Sequence, residues 1–197
     1  EEYYLTRTET ALIEAHGEEI ADLIGPGASL IEYGCGSLVK TRLLLDALDN
    51  PYVFVPIDIS EKHLRRSVEA LDQDYPALRV LPVVADFTHP VPLSDTTVNG
   101  GNKKVVFFPG STIGNFDHQE AAKFLGTVAE TVGVGGGLLI GVDGRHVGAD
   151  DLGLVAGHLG IGRLGNRAGL GRLLGRGLLG RRRLGLDVRG LSSWRLL

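Results

Sequence analysis

Short apolar runs alternate with amphipathic stretches along the first 143 residues, and the spacing of the apolar positions assigns an element to each. Leu12, Ile13, Ile20, Leu23 and Ile24 recur at roughly helical intervals. Thr6 followed three residues later by Glu9 fits a capping box at the start of that helix, and Gly25-Pro26-Gly27 stops it. A strand is predicted from Ser29 to Tyr33, then a helix from about Leu38 to Leu48. Tyr52 to Ile57 makes a second strand ending at Asp58, and a helix of about Ser60 to Asp74 stops before Pro76. Arg79 to Val84 is the third strand, ending in Ala85-Asp86-Phe87. A polar loop at Gly100-Gly101-Asn102 precedes a fourth strand, Val105 to Phe108. A helix of about Asp117 to Thr131 then leads through Gly135-Gly136-Gly137 into a fifth strand, Leu138 to Val142. Four- to six-residue apolar runs separated by helices predict an α/β fold with a mainly parallel sheet. Ligands of such sheets sit beyond the carboxyl ends of the strands, where this chain's unusual residue clusters fall.

The pattern fails after Asp143. Residues 144–197 hold 14 Gly, 14 Leu and 10 Arg among 54 positions, with no lysine and no glutamate, and their leucines keep neither period for long. Glycine at this density disfavours helix by about 1 kcal/mol per residue relative to alanine. We expect two regions: 1–143 as the folded unit, and 144–197 as an irregular tail that is not a native catalytic domain. The tail's composition is what GC-rich DNA yields in a wrong frame; a natural low-complexity basic tail is the alternative.

Charge sharpens this division. The chain's net charge of −4 combines 10 Lys+Arg against 21 Asp+Glu in residues 1–143 with 10 arginines against 3 acids in the tail. Arg181-Arg182-Arg183 could form a basic patch, but Trp194 alone supplies aromatic interleaving, so nucleic-acid binding is not expected. A single cysteine rules out an internal disulfide, and no Cys/His spacing suggests zinc. Acidic Glu1 and Glu2 and the lack of a long apolar run point to a cytoplasmic protein without a membrane span. The absence of methionine suggests a fragment or processed product.

The chemistry lies at the strand ends. Glu32-Tyr33-Gly34-Cys35-Gly36-Ser37 closes the first strand, where glycines admit a ligand close to the backbone and the next helix offers free N–H groups. A dinucleotide fingerprint would want glycine at position 39, which is valine; the acid two residues before the first glycine fits the S-adenosylmethionine (SAM) variant of the loop. Cys35 reads as a loop filler. Asp58 stands where an acid accepts from two ribose hydroxyls, although an N-cap role is the rival. Asp86 could accept from an adenine amino group, with Phe87 bordering the ring, or Asp86 could be a turn residue. The six histidines show no ligand spacing and read as surface or loop positions.

The fourth strand runs into Phe107-Phe108-Pro109-Gly110-Ser111-Thr112-Ile113-Gly114-Asn115-Phe116. That stretch resembles the hallmark of the histidine-specific SAM-dependent methyltransferases, which make the trimethylbetaine hercynine for ergothioneine synthesis. Further blocks agree: Glu2 to Glu9, Glu32 to Ser37, Lys40 to Ala47, Pro56 to Ser60, Ala85 to Phe87 and Leu138 to Asp143. The resemblance covers residues 2–143. It implies a Rossmann-like class I methyltransferase fold, with Gly34, Gly36, Lys40, Asp58, Asp86 and Phe87 around SAM. It further implies that Asn115 holds a histidine substrate and that Tyr3 meets that substrate's amino or carboxylate end. Taken alone, Asn115 could equally be a helix N-cap and Tyr3 a packed aromatic. The family's segment ahead of the Glu2 block, and its second, substrate-recognising domain, have no counterpart in this chain, which reads as an incomplete form. A non-catalytic SAM-binding or interaction module with a basic tail is the alternative.

Overall fold

A computed structural model describes residues 4–93, 98–143 and 152–158; for Tyr4, Leu5, Asp143 and 152–158 it describes the backbone alone. The chain runs α1 (Tyr4–Ile24), β1 (Ser29–Tyr33), α2 (Val39–Ala47), β2 (Val53–Asp58), α3 (Glu61–Asp74), β3 (Val83–Val84) and β4 (Lys104–Phe108). A 3-10 turn (Thr112–Asn115), α4 (His118–Val132), β5 (Gly137–Asp143) and β6 (Leu152–His158) complete it. The strands form one sheet in the order β3-β2-β1-β4-β5-β6, parallel except for β6. This is the expected Rossmann-like arrangement. No described helix is long and apolar enough to cross a membrane.

Both faces of the sheet are covered, which is why its strands read as continuous apolar runs. Leu30, Phe54, Val105, Phe107 and Leu139 pack with Ile13, Ile20 and Ile24 of α1, Leu44 of α2 and Leu64 and Leu71 of α3. Ile31, Tyr33, Val55, Ile57, Val106, Phe108 and Ile140 turn the other way, against Phe124, Leu125, Val128 and Val132 of α4. In α1 the heptad-like spacing of Ile13, Ile20 and Ile24 makes the buried stripe, whereas Leu23 is exposed.

Three expectations need correction. The first helix does not start at a Thr6 cap: α1 already runs from Tyr4, and Glu9 is fully buried, bonded to other elements. Tertiary partners claim the carboxylate that a local box would have used. The third strand is shorter than Arg79 to Val84. Only Val83–Val84 joins the ladder, with an isolated bridge between Phe54 and Val80. Pro82 lies between them and has no N–H to donate. The tail, expected to be irregular, contains β6, which pairs antiparallel with all seven residues of β5. Leu152, Leu154 and Val155 supply the strand propensity, and β5 supplies an edge for them to pair with. Other residues beyond Asp143 lie outside the described residues.

Helix starts follow local chemistry more closely. Ser60 caps α3, its Oγ accepting from His63 N at 3.4 Å. Asp117 caps α4 in a complete capping box: its Oδ1 accepts from Gln119 N and Glu120 N at 2.7 and 2.8 Å, and Glu120 Oε2 accepts from Asp117 N at 2.9 Å. We predict that Asp117→Ala destabilises the chain by about 1 kcal/mol, read as a lowered midpoint in urea with an unchanged slope. An unaltered midpoint would mean that the box contributes nothing.

Candidate functional site

From β1 the chain steps outward to β2 and β3, then returns to β4 on the opposite edge of β1. The loops after β1 and β4 therefore leave neighbouring strands, paired at Glu32 and Phe107, and diverge. That divergence marks the switch point, where sheets of this kind hold their ligands in a crevice at the carboxyl ends.

The glycine loop forms one wall. Gly34 has φ 72° and donates to Ile57 O at 2.8 Å, a conformation that a side chain would strain. A Cβ there would also press on the Phe87 ring at 3.4 Å. Gly36, with φ 47°, is exposed, and its carbonyl accepts from His63 Nε2 at 2.7 Å and Ser67 Oγ at 3.4 Å. His63, expected to be idle on the surface, thus ties α3 to the loop. Only the fold brings it there, since 27 residues separate the partners.

Cys35 is buried, and its thiol is pushed up to about 12 by burial and by the neighbouring Glu32 and Asp58 charges. A thiol so disfavoured as thiolate is no nucleophile, in keeping with a loop filler. Glu32, the acid of the loop motif, is buried beneath the loop and accepts from Thr41 Oγ1 of α2 at 2.6 Å. Burial foremost raises its carboxyl from 4.5 to about 8. It braces the loop against α2 from below and presents no surface to a ligand.

Asp58 is half-exposed at the end of β2. Its Oδ1 accepts from Ser60 N at 2.9 Å, and Cys35 Sγ approaches Oδ2 at 3.9 Å, so acid and loop are adjacent. Because Ser60 is the N-cap, the rival role for Asp58 falls away. The next residue, Ile59, is 73% exposed, and Val84 at the end of β3 is 53% exposed. Apolar surface beside an acid suits a nucleoside, and the exposure of Ile59 was not visible in the sequence.

Asp86 is exposed and heads a local turn. Its Oδ1 accepts from Thr88 N and Oγ1 at 2.9 and 2.7 Å, and Oδ2 lies 3.2 Å from His89 Nδ1. The Thr88 bonds hold its carboxyl below the usual range. Phe87 is half-buried, stacked on Tyr33 at 5.7 Å and edge-on to Phe108 at 5.5 Å.

The wall after β4 is the turn from Pro109 to Asn115. Gly110 (φ 83°) and Ser111 (φ 54°) are successive left-handed residues, and Asn115 is exposed at the end of the 3-10 turn. Asp117, not Asn115, caps α4, so the capping alternative for Asn115 also falls. Lys40, on the first turn of α2, does not point freely into the crevice: its Nζ donates to Glu9 Oε2 at 2.6 Å. Gly34, Gly36, Asp58, Phe87, Lys40 and the Gly110 turn are thus brought to one edge. Tyr3 lies outside the described residues.

Comparisons with known proteins give the family and the fold. The family model for histidine-specific, SAM-dependent methyltransferases matches residues 1–150. The chain is 35% identical over 145 residues to the histidine N-alpha-methyltransferase of Mycolicibacterium smegmatis, covering 72% of this chain and 44% of that protein. To ergothioneine biosynthesis protein 1 of Neurospora crassa it is 34% identical over 146 residues, covering 73% and 17%. The chain therefore spans less than half the length of these curated relatives. A crystal structure of a putative SAM-dependent methyltransferase from Methanococcus maripaludis superposes with a TM-score of 0.52 at 16% identity, covering 71% of this chain and 59% of the other; that likeness concerns the fold. By the family match and the identity to its relatives, the chain belongs to the histidine-specific, SAM-dependent methyltransferases.

Proposed function

We propose that residues 1–143 are the cofactor-binding part of a histidine Nα-methyltransferase. The observation that carries this reading is the divergence of the loops after β1 and β4 from neighbouring strands, with the glycine loop and Asp58 to one side and the Asn115 turn to the other. The residues present fit SAM: exposed glycine backbone for its amino-acid end, the Asp58 carboxylate for the ribose, and the apolar surface of Ile59 and Phe87 for the base. In this reading Asp86 accepts from the adenine amino group with lone pairs that its turn leaves over. When bound, SAM supplies a methyl on a sulfonium, ready for in-line displacement.

The chain's own residues then have to present the acceptor. The nucleophile is the neutral α-amine of histidine, which the protein would have to hold deprotonated with its lone pair free. Asn115, a neutral amide, can accept from an amine N–H and so aim the lone pair, without the preference for the protonated form that a carboxylate would impose. Such positioning contributes several kcal/mol. Tyr3 is proposed at the amino or carboxylate end of the same substrate.

Calorimetric titration with S-adenosylhomocysteine (SAH), with and without histidine, tests the assignment. Micromolar binding by the parent chain and a loss of about 30-fold in Asp58→Asn are expected, since two ribose bonds lose a charged acceptor while Ser60 N keeps an oxygen to bond. A parent chain that is folded by circular dichroism yet ignores SAH would sink the cofactor reading. Unchanged affinity in Asp58→Asn would sink the ribose role alone.

A further inference from the structure

We infer that Glu9 is a positioning residue, fixing the cofactor-side Lys40 and the acceptor-side Gly110 turn against each other. This rests on the site proposed above, but it assigns a role to a side chain on α1, far from every strand end in sequence.

Glu9 has no exposed surface, an unusual state for a carboxylate in a helix, and buried charges persist only where they are paired and bonded. Its partners come from two other elements. Oε2 accepts from Lys40 Nζ of α2 at 2.6 Å. Both oxygens stand 2.8 Å from Gly110 N, in the turn after β4. A third element makes the space: a Cβ on Gly141 of β5 would overlap Glu9 Oε1. Glycine inside a buried strand weakens it and marks close approach, which accounts for Gly141 within Leu138-Leu139-Ile140-Gly141-Val142.

The Gly110 turn needs such an anchor. Two consecutive left-handed residues, one of them Ser111, make a strained turn, which persists only where its surroundings over-determine it. Glu9 binds the first amide of that turn, and the 3-10 segment ending in Asn115 follows directly. The same carboxylate fixes the Lys40 ammonium, which lies 3.6 Å from the position of a Cβ on Gly110. One buried anion therefore sets where a cation and a backbone turn meet. Glu9 touches neither cofactor nor substrate; it acts through the two groups it holds.

The test combines SAH titration of the chain with a direct view of the Gly110 amide. Glu9→Gln keeps the shape and removes the charge, and we expect roughly tenfold weaker SAH binding. In a Lys40→Met background the same change should cost less than about twofold, because Lys40 is the one of its two partners that stands on the cofactor side. Labelling proline carbonyl carbons and glycine nitrogens leaves two Pro–Gly pairs, at Gly27 and Gly110. The Gly110 proton should move upfield in Glu9→Gln while that of Gly27 stays put. Equal losses in both backgrounds, or an unmoved Gly110 resonance, overturn the inference. If the folded parent does not bind SAH, the cofactor reading fails, and the Gly110 resonance by itself decides the role of Glu9. Should Glu9→Gln fail to fold, the paired Glu9→Gln, Lys40→Met variant leaves no isolated buried charge and carries the same resonance measurement.

Discussion

Phe108→Ala is expected to destabilise the chain by about 4 kcal/mol, lowering its melting temperature by roughly 10 °C, and to weaken SAH binding beside it. Phe108 is fully buried at the end of β4 and touches three other rings. It lies 4.6 Å from Phe124 of α4, 5.5 Å from Phe87 after β3 and 6.4 Å from Phe116 after the 3-10 turn. Truncation leaves a cavity among rigid rings that cannot collapse into it, and it removes edge-on and stacked contacts worth about 0.5–1.5 kcal/mol per pair beyond the area buried. Phe87 and the Asn115 turn then lose a shared backstop. Thermal melts with SAH titration below the transition measure both effects; a loss under about 1 kcal/mol would show that the other rings carry the cluster without it.

Glu32 predicts an unusual dependence on pH. Its carboxyl is raised from 4.5 to about 8, by burial first and by the Asp58 charge last, against the lowering effects of the Thr41 bond and Lys40. The folded state therefore keeps a proton that the unfolded chain releases above pH 4.5. The stability this group contributes is full below pH 4.5, falls as pH rises towards 8 and levels off beyond it. The loss over that window is on the order of a few kcal/mol. Glu32→Gln carries no proton to lose, and its amide oxygen can still accept from Thr41, so its stability should stay flat where the parent's declines. Urea midpoints at pH 5, 6, 7 and 8 for both chains check this. Parallel curves would show that Glu32 is ionised in the folded protein, whatever its burial.

Much of the fold is legible because its signals are local. Buried parallel strands need apolar runs, and Leu30-Ile31, Val53-Phe54-Val55 and Val105-Val106-Phe107-Phe108 supply them within a few residues of the observed bounds. Gly34 and Gly36 announce a backbone that other residues would strain, and the φ values bear that out. The ends of α3 and α4 are set by Ser60 and Asp117, each acting on amides two or three residues away. The third strand is the instructive miss: its residues have the propensity, but Pro82 breaks the ladder hydrogen bonds that propensity alone does not count.

Sequence by itself determined which residues are apolar, where turns must bend, and that acids and glycines fall at successive strand ends, because those properties belong to a residue and its near neighbours. It could not say that Glu9 and Gly110, 101 residues apart, would share a hydrogen bond, or that Gly141 would leave room for it. Nor could it seat Glu32 beneath the glycine loop with Thr41 as its partner. Those outcomes depend on strand order and register. A buried charge takes whatever partners the packed elements bring within about 3 Å, and that choice exists only once the chain has folded.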